Sequence, residues 1–359
     1  MTIPLNKPVS PNLAKLTAYL EKVNESGWYT NFGPLHNELS KRLEQYLGVE
    51  NLLLVSNGTL AIQIACKVLK VNKALTTPFS FVATSSSLLW QGIDIDYVDI
   101  DEKTLNLSPS KTLDKLNKDS SYDGIVATHV YGNPCDIDKF DALSNKYNIK
   151  IIYDGAHAFG VNYNNRSILS YGDATTLSFH ATKVFHTVEG GAIVFKKRED
   201  YLEAKRLINF GINEDGMLGP AGINAKLNEY QCAVGLCLLD DIESIICKRI
   251  ELFTCYLQEL KEVVDIPKWQ LNSSFNGAYM PIILKSYKEK ELVKSALLNK
   301  GIQSRDYFYP SLNLVYKASV NMPISEDISE RILCLPLHYY VGEKDIFYIG
   351  DVIKNALCE

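Results

Sequence analysis

Lys183 stands where a charged side chain is unexpected. An apolar, strand-like run at residues 175–180 precedes it, and a Glu-Gly-Gly turn leads into a second apolar run at residues 190–195. A lysine between buried strands is costly unless it is paired or used chemically. Burial also lowers its pKa towards the range in which a neutral amine attacks a carbonyl group. A lysine that reaches the surface from a strand end is the commoner interpretation of such a position taken alone. A second signal upstream favours the chemical role.

That second signal is an aspartate at the end of a predicted strand. The segment Ile149-Lys-Ile-Ile-Tyr-Asp154 is mostly apolar, and small residues follow its carboxylate at once. Ligands of open α/β sheets bind at the carboxyl ends of the strands, although an aspartate there can also simply cap a helix. Enzymes that use pyridoxal phosphate (PLP) need a lysine for a Schiff base and an acid beside the pyridinium nitrogen. Lys183 and Asp154 together therefore predict a PLP site.

Three further segments contain residues that could hold the phosphate and the ring of this cofactor. Gly58 and Thr59 lie between a predicted strand and a predicted helix, whose free N–H groups and dipole suit a phosphate. Taken alone, this turn is more typical of an ordinary helix cap. Phe81 could stack on a pyridine ring, although an isolated phenylalanine is more often part of the core. The hydroxyl of Ser178, shortly before Lys183, could reach the phosphate.

Strand and helix patterns alternate along the chain. Helical patterns at 12–26 and 35–47 are followed by strand candidates at 51–56, 74–77, 94–98, 124–129 and 149–154, which are separated by helical patterns near 59–70, 81–91, 109–118 and 136–147. This rhythm predicts an α/β fold with a mostly parallel sheet between helices, to which the two runs around Lys183 add paired strands.

The remaining patterns predict a second, smaller unit. A long helical pattern from 226 to 260 precedes a strand at 279–284, a helix at 287–300 and a C-terminal helix from 343. We therefore predict a large domain over residues 1–240 and a smaller α/β domain over residues 241–359.

Composition limits the class of protein. The 359 residues are 46% hydrophobic and 22% charged, with a net charge of -5, which does not favour nucleic acid or an anionic membrane as the main partner. No apolar run approaches the roughly 20 residues of a membrane span, and the first residues do not resemble an export signal. The eight cysteines include no Cys-x-x-Cys pair. We therefore expect a cytoplasmic protein with reduced cysteines and no metal site.

Many ordered motifs resemble one family over the whole chain. They are Ser26-Gly-Trp-Tyr-Thr-Asn-Phe-Gly-Pro34, the Asn57-Gly-Thr59 turn, Pro78-Phe-Ser-Phe-Val-Ala-Thr84, His129-Val-Tyr-Gly-Asn-Pro134, Asp154-Gly-Ala-His157, Ser178-Phe-His-Ala-Thr-Lys183, Glu189-Gly-Gly191, Asn224-Ala-Lys-Leu-Asn-Glu-Tyr-Gln231 and Leu335-Pro-Leu-His338. Together they resemble the sugar aminotransferases of the DegT/DnrJ/EryC1/StrS family, a branch of the fold type I PLP enzymes. So many matches in order are far more specific than one motif.

The resemblance implies a role for each matched position. Lys183 would form the Schiff base, Asp154 would bind the pyridinium nitrogen and Phe81 would stack on the ring. The backbone of Gly58 and Thr59 and the hydroxyl of Ser178 would hold the phosphate.

The resemblance also implies a homodimer. Asn224 would reach the phosphate from the neighbouring subunit, so that two chains would share each active site. Three positions depart from the family pattern. His157 replaces the usual glutamine near the phenolic oxygen of the cofactor, where its protonation would respond to pH. Ala225 and Lys226 replace the usual Tyr-Arg pair.

The activity implied by the resemblance is transamination of a nucleotide-linked keto-sugar with L-glutamate. The variants at His157 and in the segment His180–Lys183 are most similar to enzymes that act on dTDP-4-keto-6-deoxy-D-glucose, and the product would serve an O-antigen or a related glycan. Alternatives are an aminotransferase specific for C3 or for UDP-keto-sugars, a PLP-dependent sugar dehydratase, and a non-catalytic sugar-binding relative. The lysine favours transamination, because related dehydratases lack it. His180 and His186 are equally compatible with packing roles.

Overall fold

The computed structural model describes residues 2–213, 215–317 and 320–358. The helices are α1 Leu13–Ser26, α2 Pro34–Leu47, α3 Gly58–Val68, α4 Val82–Trp90, α5 Pro109–Lys118, α6 Ile137–Tyr147, α7 Arg198–Leu207, α8 Glu229–Asp240, α9 Ile242–Leu260, α10 Tyr287–Asn299, α11 Leu312–Tyr316, α12 Pro323–Arg331 and α13 Glu343–Cys358. The strands are β1 Leu52–Val55, β2 Lys73–Thr76, β3 Asp94–Tyr97, β4 Gly124–Thr128, β5 Lys150–Asp154, β6 Asn162–Tyr163, β7 Arg166–Ser167, β8 Ala174–Ser178, β9 Gly191–Phe195, β10 Met280–Ile283 and β11 Ile332–Leu335.

The central sheet has the strand order β1-β9-β8-β5-β4-β2-β3 in the described part of the chain. The pairs β8–β5, β5–β4, β4–β2 and β2–β3 are parallel, whereas β9 runs antiparallel to both of its neighbours. The predicted α/β class with a mostly parallel sheet is therefore confirmed, and the two runs around Lys183 pair directly with each other.

Helices cover both faces of this sheet because its strands are apolar on both sides. In β1, Leu52 and Leu54 belong to a cluster with residues of α2 and α8, whereas Leu53 and Val55 belong to a cluster with residues of α3 and α7. This alternation follows from the two-residue period of a strand.

Residues between Leu252 and Ala356 build a second cluster around α9, α10, α13 and the antiparallel pair β10–β11. The predicted long helix at 226–260 is two helices, α8 and α9, which meet at Asp241. Helix α9 contributes Ile242 and Ile246 to the large-domain core and Leu252 to the second cluster, so it belongs to both. The domain division at 240/241 remains a prediction. In the described ranges, no helix is both long and apolar enough to cross a membrane.

Candidate active site

A cavity of about 350 Å³ opens where β5 and β8 end and where α3 and α4 begin. This is the edge of a parallel sheet at which ligands bind. The sequence-predicted residues that line it are Gly58, Thr59, Phe81, Asp154, His157, Ser178 and Lys183. The fold thus brings together seven positions that are spread over more than a hundred residues of sequence.

The start of α3 forms a narrow cradle against the end of β8. The Asn57 side chain caps the helix by accepting a hydrogen bond from the N–H of Leu60 at 2.9 Å, as the cap interpretation expected. The cap does not exclude a phosphate site, because the first helical turn still offers N–H groups without intrahelical partners. A side chain on Gly58 would place its Cβ 2.9 Å from the Cβ of Ser178, so only glycine permits this approach.

Asp154 is buried and held by short contacts on both oxygens. Its Oδ2 accepts a hydrogen bond from the Thr84 hydroxyl at 2.6 Å, and its Oδ1 accepts one from the Ala156 N–H at 3.1 Å. The Thr84 hydroxyl also lies 2.7 Å from that of Ser80. A Cβ on Gly155 would lie 2.9 Å from the carbonyl oxygen of Thr176, which explains the small residue that follows the aspartate.

Lys183 extends into the cavity from the turn between β8 and β9. Its Nζ lies 3.3 Å from the hydroxyl of Tyr279. Burial lowers the pKa of Lys183, whereas the negative charge of Asp154 acts in the opposite direction. A lysine with a lowered pKa is a better nucleophile and a better base near neutral pH, as the Schiff-base role requires.

His157 corrects the expectation that its protonation responds to pH. The imidazole is buried, stacks on Phe308 with ring centroids 5.9 Å apart, and accepts a hydrogen bond at Nδ1 from the N–H of Tyr131 at 3.2 Å. Burial, with the nearby Lys183 charge, lowers the pKa of His157 well below its usual value. The ring is therefore neutral at physiological pH and carries its proton on Nε2.

The two nearby histidines have different surroundings. His180 lines the cavity, and its Nε2 lies 3.6 Å from a carboxylate oxygen of Glu189, which also lines it. His186 is buried away from the cavity lining, where its Nε2 lies 3.0 Å from the Val9 carbonyl oxygen and its Nδ1 accepts from the N–H of Val188. His186 therefore fixes the chain locally, and His180 lies where a ligand would be.

The C-terminal part of the chain supplies a wall that the sequence did not predict. Tyr279, Arg305, Tyr307 and Phe308 line the cavity opposite the sheet. Tyr279 directly precedes β10, and a predicted strand was placed over it, but no pattern marked the residue as part of a site. The signal was missing because the contact with Lys183 joins positions 96 residues apart.

Asn224 does not line the cavity of its own chain. It is exposed and pairs through its backbone with Asn209, at the base of a surface loop. The lysine that follows two positions later, Lys226, donates a hydrogen bond to the Asn209 side chain at 2.9 Å. The role of Asn224 at the phosphate of a neighbouring subunit remains a prediction.

The assembled groups fit PLP. A cradle that admits only glycine lies at a helix N-terminus and suits the phosphate. A buried carboxylate lies in the same cavity as a lysine of lowered pKa, and the exposed face of Phe81 borders both. These are the acid, the amine and the aromatic ring that the cofactor needs.

Comparison with known proteins also indicates an aminotransferase. The model of the DegT/DnrJ/EryC1/StrS aminotransferase family matches residues 13–354. The chain is 37% identical to the dTDP-4-amino-4,6-dideoxy-D-glucose transaminase of Shigella dysenteriae, over 98% of each chain. It is 33% identical to the Escherichia coli enzyme of the same name, over 99% of each.

A solved structure shares the fold over almost the whole chain. The structure of DesI in the presence of its TDP-sugar product superposes with a TM-score of 0.92 at 27% identity, and the match covers 99% of this chain and 93% of DesI. These findings confirm the predicted fold class, the PLP cofactor and the assignment as an aminotransferase. The chain therefore belongs to the DegT/DnrJ/EryC1/StrS aminotransferase family.

Proposed function

We propose that this aminotransferase moves an amino group from L-glutamate to C4 of dTDP-4-keto-6-deoxy-D-glucose, and that it works as a homodimer with shared active sites. The observation that carries the proposal is the lysine of lowered pKa in one cavity with a buried aspartate and a helix N-terminus. The choice of sugar rests on the full-length similarity to two transaminases named for the 4-amino product.

Five residues of the cavity then have a defined task in holding the cofactor. The N–H groups of Gly58 and Thr59 and the hydroxyl of Ser178 bind the phosphate, and Phe81 covers the ring. Asp154 keeps a proton on the ring nitrogen, which its own hydrogen bonds with Thr84 and Ala156 support. Bound PLP supplies an electron sink for the carbon that loses its proton.

Lys183 carries the proton chemistry. Its amine, kept less basic by burial, would take the proton from the carbon that bears the donor nitrogen, and in the half-reaction with the keto-sugar it would deliver a proton to C4 of the sugar. A group that can both take and return the proton favours transamination over elimination. The alternative of a dehydratase is therefore less well supported, and so is that of a non-catalytic relative, since both Lys183 and Asp154 are present.

Arg305 offers a charge for the substrates. Both proposed substrates carry anionic groups, a diphosphate in the sugar nucleotide and carboxylates in glutamate. Arg305 lines the cavity, its guanidinium lies 5.6 Å from the ring centre of Tyr307, and the ion pairs of the described residues do not include it. We infer that it binds one of these anionic groups.

The colour of the purified protein tests the reaction. We expect a visible cofactor band that disappears with L-glutamate and returns with the keto-sugar. In Lys183→Ala, we expect neither change and no turnover. Turnover retained by this variant would contradict the proposed role of Lys183.

A substrate panel tests the sugar. We expect dTDP-4-keto-6-deoxy-D-glucose to restore the band faster than UDP-linked or 3-keto sugars, and NMR of the product to place nitrogen on C4. A faster reaction with a UDP-sugar or amination at C3 would select the corresponding alternative. The cytoplasmic location and the delivery of the product to an O-antigen or related glycan remain predictions.

A further inference from the structure

The Lys183 amine, when it is free, forms a hydrogen bond with the hydroxyl of Tyr279. The Lys183 Nζ lies 3.3 Å from the Tyr279 hydroxyl and 5.8 Å from the centre of its ring. Across the described residues, this is the hydrogen bond that the structure records for the lysine amine. Asp154 acts on the amine through its charge and without a hydrogen bond to it. The hydroxyl of Tyr279 is therefore the group that sets the direction of the amine.

The position of Tyr279 is fixed by buried polar contacts of the segment that precedes it. The buried Asn276 donates hydrogen bonds from Nδ2 to the carbonyl oxygens of His157 and Phe159, each at 2.9 Å. The buried guanidinium of Arg249 donates from Nη2 to the carbonyl oxygen of Ala278 at 3.1 Å. The bonds of Asn276 tie the segment before β10 to the chain that follows Asp154, and the bond of Arg249 ties it to α9.

Aromatic packing fixes the ring itself. The imidazole of His157 meets it edge to face at 4.7 Å, and the rings of Tyr131 and Tyr307 lie 5.6 and 5.7 Å away. A ring in contact with three others has few rotamers left, so its hydroxyl has little freedom to turn away from Lys183.

Burial lets the Tyr279 hydroxyl form a hydrogen bond with the Lys183 amine in both its charged and its neutral form. Burial raises the pKa of Tyr279 and lowers that of Lys183, so the hydroxyl keeps its proton throughout the range in which the amine changes charge. A protonated hydroxyl accepts a hydrogen bond from an ammonium group and donates one to a neutral amine. The other titratable groups that act on the pair are Asp154, His157, Tyr307, Arg249 and Cys334.

We propose that Tyr279 is a positioning residue for Lys183, which holds the free amine in both protonation states and directs it towards the carbon that exchanges its proton. The inference rests on the proposed function of Lys183 and adds to it a partner from the C-terminal part of the chain. It concerns a hydrogen bond, so removal of one oxygen atom tests it.

The test uses the cofactor-free full-length protein and the rate at which added PLP generates the visible band. Schiff-base formation needs the neutral amine, so the dependence of this rate on pH reports the pKa of Lys183. In Tyr279→Phe, the stronger, charge-assisted bond to the ammonium form is lost. We therefore expect the midpoint to fall by about 0.5–1 pH unit. Misdirection of the amine should also lower kcat by about tenfold, with KM for both substrates within about twofold.

Tyr307→Phe is the matched control. Its hydroxyl lines the same cavity but contacts Arg305 at 3.4 Å and makes no hydrogen bond to Lys183. Because Tyr307 acts on the Lys183 amine through charge alone, we expect its midpoint to fall by clearly less than that of Tyr279→Phe. Equal shifts in both variants would assign the effect to the aromatic wall and overturn the inference.

The remaining outcomes separate the two proposals. If Tyr279→Phe keeps the midpoint and kcat of the unchanged protein, the positioning role is wrong while the function of Lys183 stands. If the unchanged protein forms no band, or Lys183→Ala forms one equally fast, the proposed function itself fails. If Tyr279→Phe raised KM and lowered kcat by similar factors and also lowered thermal stability, its role would be purely structural. This result would also overturn the inference.

Discussion

At the residue scale, Asp154 depends on a short chain of buried hydroxyl groups. Thr84 donates to the carboxylate, the Ser80 hydroxyl lies 2.7 Å from that of Thr84, and the Thr128 hydroxyl lies 3.1 Å from that of Ser80. These side chains come from α4, from the loop before it and from β4. The network holds the carboxylate at the cavity through hydrogen bonds with neutral groups.

Removal of the first hydroxyl should weaken the cofactor site. Thr84→Val keeps the shape of the side chain but removes the donor. We expect a cost of about 1 kcal/mol, or roughly fivefold weaker PLP binding. A titration of the cofactor-free protein, followed by the visible band, measures it. Ser86→Ala is the control, because the hydrogen bond that the structure records for this hydroxyl of the same helix goes to the Ala83 carbonyl oxygen and not to Asp154. Equal affinities in Thr84→Val and in the unchanged protein would contradict a role for the network.

Residues of the site differ in how far the sequence predicts them. Lys183 and Asp154 are predictable because each ends or follows an apolar run, so that a charge at that place is conspicuous. Thr84 and Tyr279 are not, since hydroxyl and phenol groups occur everywhere and their contacts here span 70 and 96 residues. His157 differs from both groups. Its place in the site was predicted, but its protonation state was not, because that state depends on burial, which no local sequence pattern shows.

At the scale of elements, the start of α2 is completed by a residue from α8. The N-cap Gly33 has no side chain for this purpose, and the buried Glu229 instead accepts hydrogen bonds from the N–H groups of Leu35 and His36, both at 2.8 Å. A carboxylate at a helix N-terminus is favoured by the helix dipole. The imidazole of His36 is buried in this turn with both ring nitrogens unpaired among the described residues, edge-on to Phe32 at 5.2 Å.

This histidine should make α2 sensitive to acid. Burial lowers the pKa of His36 from 6.5 to about 4. Between these values the unfolded chain binds a proton that the folded chain does not. The contribution of neutral His36 to the free energy of unfolding is therefore fully present above pH 6.5, and it decreases as the pH falls towards 4. In His36→Leu, we expect the decline between pH 6 and 5 to be less steep by about 1 kcal/mol per pH unit.

Urea unfolding of the cofactor-free protein at fixed concentration measures this effect. The same pair at pH 8 is the internal control, because the imidazole is neutral there in both states and the difference between the proteins should no longer change with pH. Identical slopes between pH 6 and 5 would show that His36 is not the source of acid sensitivity.

The elements themselves divide into predictable and unpredictable ones for a physical reason. The strands of the central sheet are short runs of buried residues, and each lies within about two residues of its predicted place. The break between α8 and α9 was missed because apolar residues continue at helical spacing across Asp241, and the residues on both sides of it pack in the same large-domain core. Strand β11 was missed too, since its pairing with β10 is distant in sequence.

At the scale of the whole molecule, the loop that ends at Asn224 carries unusually exposed apolar side chains. Leu218 is 80% exposed, Met217 66% and Phe210 53%. Backbone hydrogen bonds join described residues of this loop, such as those from Gly219 N–H to the Gly211 carbonyl oxygen at 2.8 Å and from Asn213 N–H to that of Met217 at 2.9 Å. A group of exposed apolar side chains is typical of a protein interface, which supports the proposed homodimer.

A charge on this loop should separate the subunits and weaken the cofactor site at the same time. In Leu218→Asp, we expect light scattering to give the mass of one chain where the unchanged protein gives that of two, because a buried unpaired carboxylate opposes association. If Asn224 completes the partner's phosphate site, PLP binding should weaken in parallel with dissociation. Leu298→Asp, at an equally apolar and 68% exposed position on α10, should leave both mass and affinity unchanged. A dimer that survives Leu218→Asp would exclude this loop from the interface. A monomeric variant that binds PLP normally would show that Asn224 does not act across it.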